Sequence, residues 1–157
     1  MKQFRVTKYN PAYRDAQGRY TKDEWISYSD IGKNVTKEEY EKVESAYIDT
    51  ALKFLEEQNI IELRISYLEN TQNNQEPGIS LMAGTVLNFE ALKQVMKSIL
   101  REKYWVKLET DNSFIHFGYD YYMYIGVPHE PQSARQFAES RGLYVEDCLS
   151  PYIKNKL

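Results

Sequence analysis

Polar and apolar positions alternate with a period of two over residues 3–9, where Phe4 and Val6 oppose Arg5 and Thr7, and this predicts a first strand. Asn10-Pro11 and Asp15-Ala16-Gln17-Gly18 carry turn chemistry, since proline fixes φ and glycine reaches conformations other residues avoid. A second short strand is expected over 24–29, returning beside the first and broken by Asp30-Ile31-Gly32-Lys33. The period then lengthens. Tyr40, Val43, Tyr47, Thr50, Ala51, Phe54 and Leu55 recur at helical spacing and form one apolar stripe. Thr36-Lys37-Glu38-Glu39 supplies a capping box at its start, and Val35 with Tyr40 a hydrophobic staple, so a helix is predicted from Thr36 to about Asn59.

Period two resumes with Ile61, Leu63, Ile65 and Tyr67 set against Glu62, Arg64 and Ser66, a further strand. Residues 70–78 form a polar loop closed by Pro77-Gly78, and 79–86 a weaker strand interrupted by Gly84. Asn88 caps a second helix whose apolar face is Phe89, Leu92, Val95, Met96, Ile99 and Leu100. A hairpin is predicted next, with arms over 104–110 and 114–127 and a turn at Asp111-Asn112-Ser113. Pro128 and Pro131 end it; a short helix over 133–141 closes on Gly142, and 143–145 is a last strand. The order ββαβ(β)αββαβ predicts an α+β domain spanning 1–157, with a mixed, largely antiparallel sheet, two main helices and a short third one.

The hairpin separates into two faces. Ile115, Phe117, Tyr119, Tyr121, Met123, Ile125 and Val127 share one side and are all apolar or aromatic, which predicts a core face. With Asp111 opposite Phe114, Val106 and Leu108 fall on that same side, facing Tyr119 and Phe117. The opposite face gathers Trp105, Lys107, Glu109, His116, Asp120, Tyr122 and Tyr124, with Glu109 opposite His116, Trp105 opposite Asp120 and a gap at Gly118. Tyrosine and tryptophan give rigid contact area with a polar tip, so this second face is the candidate functional surface. Whether it is exposed, or covered by a helix as a second core, is left open by the pattern.

Composition narrows the function classes. The 157 residues carry a net charge of −3, against the basic face that phosphate contacts require, so no nucleic-acid partner is expected. No apolar run approaches a membrane span and none follows a basic start, so a soluble, cytosolic protein is expected. The single Cys148 fits a reducing compartment. Charge is uneven, with Glu38, Glu39, Glu41 and Glu44 crowding the first helix and Lys93, Lys97 and Arg101 the second.

Chemistry is thinly marked. No phosphate loop, dinucleotide fingerprint or nucleophile elbow is present. His116, His129, Asp120 and Cys148 lack metal-ligand spacing, so neither metal nor cofactor is expected. His116 and Asp120 lie roughly 13 Å apart along a strand. Glu109 is the better partner for His116, and such a pair is expected to raise the imidazole pKa.

Three readings follow. The leading one is a non-catalytic protein-interaction module anchored by Trp105, Tyr122, Tyr124 and Asp120, with help from the acidic helix. The small, acidic, aromatic-rich α+β character is similar in type to bacterial immunity and antitoxin-like inhibitors, which implies a protein partner, although no motif carries over residue by residue. The second is a small-molecule binder or enzyme with an aromatic pocket around His116, Glu109 and Tyr122; the third is a homo-oligomer paired through the hairpin face.

Overall fold

The structure, a computed structural model, describes residues 1–153. The last four residues of the expected domain lie outside the described residues. In chain order the elements are β1 (Lys2–Thr7), α1 (Lys37–Glu57), β2 (Glu62–Glu69), β3 (Val86–Asn88), α2 (Phe89–Leu100), β4 (Trp105–Glu109), β5 (Phe114–Phe117), β6 (Met123–Val127), α3 (Gln132–Ser140) and β7 (Tyr144–Asp147). The seven strands make one antiparallel sheet in the order β3-β2-β4-β5-β6-β1-β7, an α+β architecture.

All three helices lie on one side of the sheet. α1 packs against both α2 and α3 and over β6, so its buried surface is broader than one stripe and includes Ala46, Tyr47 and Ile48 in succession. Half of the expected capping box forms: the Thr36 hydroxyl accepts the Glu39 N–H at 3.1 Å without a return bond from the Glu39 carboxylate, and Val35 and Tyr40 are both buried. Asn88 caps α2 in the same way, accepting the Ala91 N–H at 3.0 Å. α3 begins at Pro131 with no cap of its own. The Glu57 carboxylate at the end of α1 accepts the Ser133 and Ala134 N–H groups instead, at 3.0 and 2.8 Å. A carboxylate there both satisfies orphan donors and opposes the helix dipole. Gly142, at φ +80, ends α3 in the left-handed conformation expected of a glycine there.

Three expected strands differ. Residues 24–29 do not pair with β1, whose two edges are taken by β6 and β7. Their backbone turns locally, because the Asp30 carboxylate accepts the Ile26 and Ser27 N–H groups and competes with any ladder. Trp25 then packs its ring on Tyr40 and Tyr121. Residues 79–85 are irregular and only Val86–Asn88 pairs, with Gly84 at φ +94 turning the chain toward Ile65.

The third difference is the largest. The expected second arm of the hairpin, 114–127, is itself two strands, because the chain reverses at 118–122 and β6 returns along β5 with Phe117 opposite Met123. Tyr119 leaves the core and is exposed, while the other six odd-numbered positions from Ile115 to Val127 are buried. Between β4 and β5 the loop is Thr110 to Ser113, so Glu109 pairs with Phe114 and Leu108 with Ile115 in place of the expected register. The slip is two residues in the pairing sum, so the division into faces survives it.

Candidate functional site

The face of the sheet turned away from the helices is the second face of the sequence reading. β4 brings Trp105, Lys107 and Glu109 to it, β5 brings Phe114 and His116, and β6 brings Tyr124. No helix covers it. Residues 148–153, the chain after β7, cross over this face and seat Tyr152 among the rings of Trp105, His116 and Tyr124, with centroids at 5.3, 6.1 and 6.0 Å. Gly118 leaves the gap that the sequence suggested, and Tyr152 fills it: a Cβ on Gly118 would stand 3.0 Å from the Tyr152 hydroxyl.

His116 is 0% exposed and forms the centre of a polar chain beneath this segment. Its Nε2 lies 3.1 Å from Glu109 Oε2 and its Nδ1 lies 2.7 Å from Ser150 Oγ. A carboxylate only accepts, so Nε2 carries the hydrogen and Nδ1 accepts from the Ser150 hydroxyl. Ser150 Oγ in turn accepts the Tyr152 N–H at 3.2 Å. Phe114 stacks on the imidazole at 4.2 Å. The pairing with Glu109 was expected to raise the imidazole pKa. Burial in this ring-lined site outweighs Glu109 and pushes it down instead, from 6.5 to about 4, with Lys107 adding to the decrease.

Glu109 reaches the edge of a groove of about 660 Å³ lined by Arg64, Ser66, Tyr67, Phe114 and Ile153. Ser66 is the extra residue of a bulge between Ile65 and Tyr67, and that bulge aims its hydroxyl at the second Glu109 oxygen.

The other candidate residues lie apart from this chain. Trp105 is half-buried and its indole N–H donates to the Phe117 carbonyl at 2.6 Å. Tyr122 is not beside His116 and Glu109. It sits with the Arg5 and Arg14 guanidiniums 5.5 and 5.4 Å from its ring centre, its hydroxyl accepting from Arg14 at 2.9 Å. Tyr124 is half-buried beneath Tyr152. His129 is exposed in the loop after β6, its backbone bonded to the Gln58 amide. Among the described residues no three His, Cys, Asp or Glu side chains converge to hold a metal ion.

Asp120 stands at the tip of the 118–122 turn with Tyr119, which is 88% exposed. Asp120 and Tyr121 both adopt left-handed backbone, at φ +58 and +66. For a bulky aromatic residue this is an unfavourable conformation that needs outside support. Two buried tyrosines provide it. The Tyr9 hydroxyl donates to the Asp120 carbonyl at 2.6 Å and the Tyr47 hydroxyl to the Tyr121 carbonyl at 2.8 Å, while Tyr47 itself accepts the Lys8 N–H at 2.7 Å. The Tyr121 ring is enclosed edge-on by Tyr40, Tyr47 and Trp25. Burial raises the pKa of Tyr9, Tyr40, Tyr47 and Tyr121, so these hydroxyls remain donors.

Ser150, Tyr152, Tyr119, Tyr9 and Tyr47 are the participants that the sequence reading did not place at the site. Only Gly118, a hole in an otherwise bulky row, signalled that something approaches there. No protein-family model, no curated protein and no solved structure matches this chain.

Proposed function

We propose that this protein is a non-catalytic protein-interaction module that docks through its 118–122 turn. The observation that supports this reading is Tyr119, 88% exposed beside the exposed Asp120, on a turn whose backbone is fixed from within by Tyr9 and Tyr47. An aromatic side chain with two rotatable bonds loses little entropy on contact, and a turn already held in place removes the cost of ordering it. The adjacent Asp120 carboxylate favours a partner with a basic residue next to an aromatic-accepting pocket. Exposed Glu38, Glu39 and Glu41 on α1 give a second acidic surface. An immunity or antitoxin-like inhibitor is the form of this function that fits the small, acidic, aromatic-rich character.

Cross-linking capture from native lysate, with wild type, Tyr119→Ala and Asp120→Asn compared by quantitative mass spectrometry, tests the reading. Both positions are exposed, so thermal stability should stay within about 0.5 kcal/mol of wild type. A protein captured by wild type and depleted at least tenfold with both variants is the expected result. Equal capture by all three chains, or self-association by light scattering that both variants retain, overturns it.

A further inference from the structure

We propose that residues 148–153 form an acid-released strap: protonation of His116 detaches Ser150 and Tyr152 from the sheet and uncovers the cradle of Trp105, Gly118 and Tyr124. This stands independently of docking by the 118–122 turn.

The strap is held mainly by side chains. Beyond the end of β7 its backbone makes one bond to the sheet backbone, from the Cys148 N–H to the Gln3 carbonyl at 3.3 Å. The Ser150 N–H donates to the Gln3 side chain at 3.0 Å, and Lys107 Nζ donates to the Tyr152 carbonyl. Leu149 is exposed and anchors nothing. The remaining grip is Tyr152 in the aromatic cradle and the hydrogen-bonded chain Tyr152 N–H, Ser150 Oγ, His116, Glu109. Segments with few backbone ladder bonds are those that open locally ahead of the core.

A proton on His116 disrupts that chain at one atom. Nδ1 changes from acceptor to donor, so Ser150 Oγ would receive both Nδ1–H and the Tyr152 N–H, and its own hydrogen would need a new acceptor in a buried site. Among the described residues, the charged groups around the imidazole are Glu109 and Lys107 from β4, with Arg64 of β2 in register beside Glu109; the strap adds the neutral Tyr152 phenol and β6 the neutral Tyr124 phenol. Glu109 attracts the new charge and the Lys107 ammonium repels it. Burial sets the balance, and lifting the strap relieves it by letting water reach the ring.

Hydrogen exchange tests the strap at the Cys148, Ser150 and Tyr152 amides, each rate divided by its intrinsic chemical rate at that pH. With the imidazole moving from about 4 under the strap toward 6.5 without it, protection should fall roughly thirtyfold between pH 7.5 and 5.0. Protection of β4 and β5, set by global unfolding, should stay above that of the strap at both pH values, and His116→Gln should make strap protection independent of pH. Unchanged strap protection in wild type overturns the proposal, as does an equal fall in a folded His116→Gln chain. Should that variant not fold, an NMR titration of the His116 imidazole in the wild-type chain decides. His116 taking up its proton together with the loss of strap protection supports the strap; His116 taking up its proton near 6.5 while the strap stays protected overturns it.

Discussion

Tyr47 shows how much one side chain can decide. As a ring it belongs to the apolar stripe of α1; as a hydroxyl it bonds both the Tyr121 carbonyl and the Lys8 N–H, and so fixes the turn that creates β6. Tyr47→Phe keeps the ring and leaves the buried Tyr121 carbonyl and the part-buried Lys8 N–H without this partner, so a loss of about 1–3 kcal/mol in urea unfolding is expected, with m unchanged. His116 makes a prediction of opposite chemical character. The native imidazole takes up its proton only near pH 4, whereas an unfolded histidine does so near 6.5. The unfolded chain therefore binds the proton first, and the stability present above pH 6.5 is lost as pH falls toward 4, by at most about 3 kcal/mol. Denaturant midpoints from pH 7.5 to 4.5 should show that decline, and His116→Gln should flatten it. Release of the strap, by hydrating the ring in the native state, would reduce the global loss.

Among the elements, the helices were the most legible. Thr36 and Asn88 each announce a start through a local hydrogen bond that needs nothing from the rest of the molecule, and both caps form. Thr36→Ala should cost about 1 kcal/mol in thermal or urea unfolding, since only the bond to the Glu39 N–H is removed. Strands were legible by face but not by extent. The alternation from Ile115 to Val127 gives no sign of a reversal at 118–122, because Tyr119 and Tyr121 continue the same apolar parity through it. Residues 24–29 show the converse, a strand pattern with no free edge on β1 to join, since β6 and β7 flank it.

At the scale of the whole molecule, buried polar pairs join the helix layer. Glu44 on α1 is buried and receives two bonds from Arg101 just after α2, at 2.9 and 3.0 Å, together with the Tyr40 hydroxyl at 2.7 Å. Arg101→Met leaves that carboxylate without its cation and should cost about 3–5 kcal/mol in urea unfolding. Arg101→Met combined with Glu44→Gln should recover part of it, a coupling that a double-mutant cycle measures. The sequence alone determined the α+β class, the helix starts, and the division of the hairpin into a core face and a polar, aromatic face. Each of these depends on periodicity or on bonds within four residues along the chain. Tertiary structure decided strand order, the reversal at 118–122, and the fate of the second face. Those depend on partners far apart in sequence: Tyr9 and Tyr47 reaching Asp120 and Tyr121, Ser150 and Tyr152 closing over His116. No local pattern records which distant hydroxyl or ring will arrive, so the most polar row of the hairpin became a covered, strap-held site and Tyr119, assigned to the core, became its most exposed aromatic.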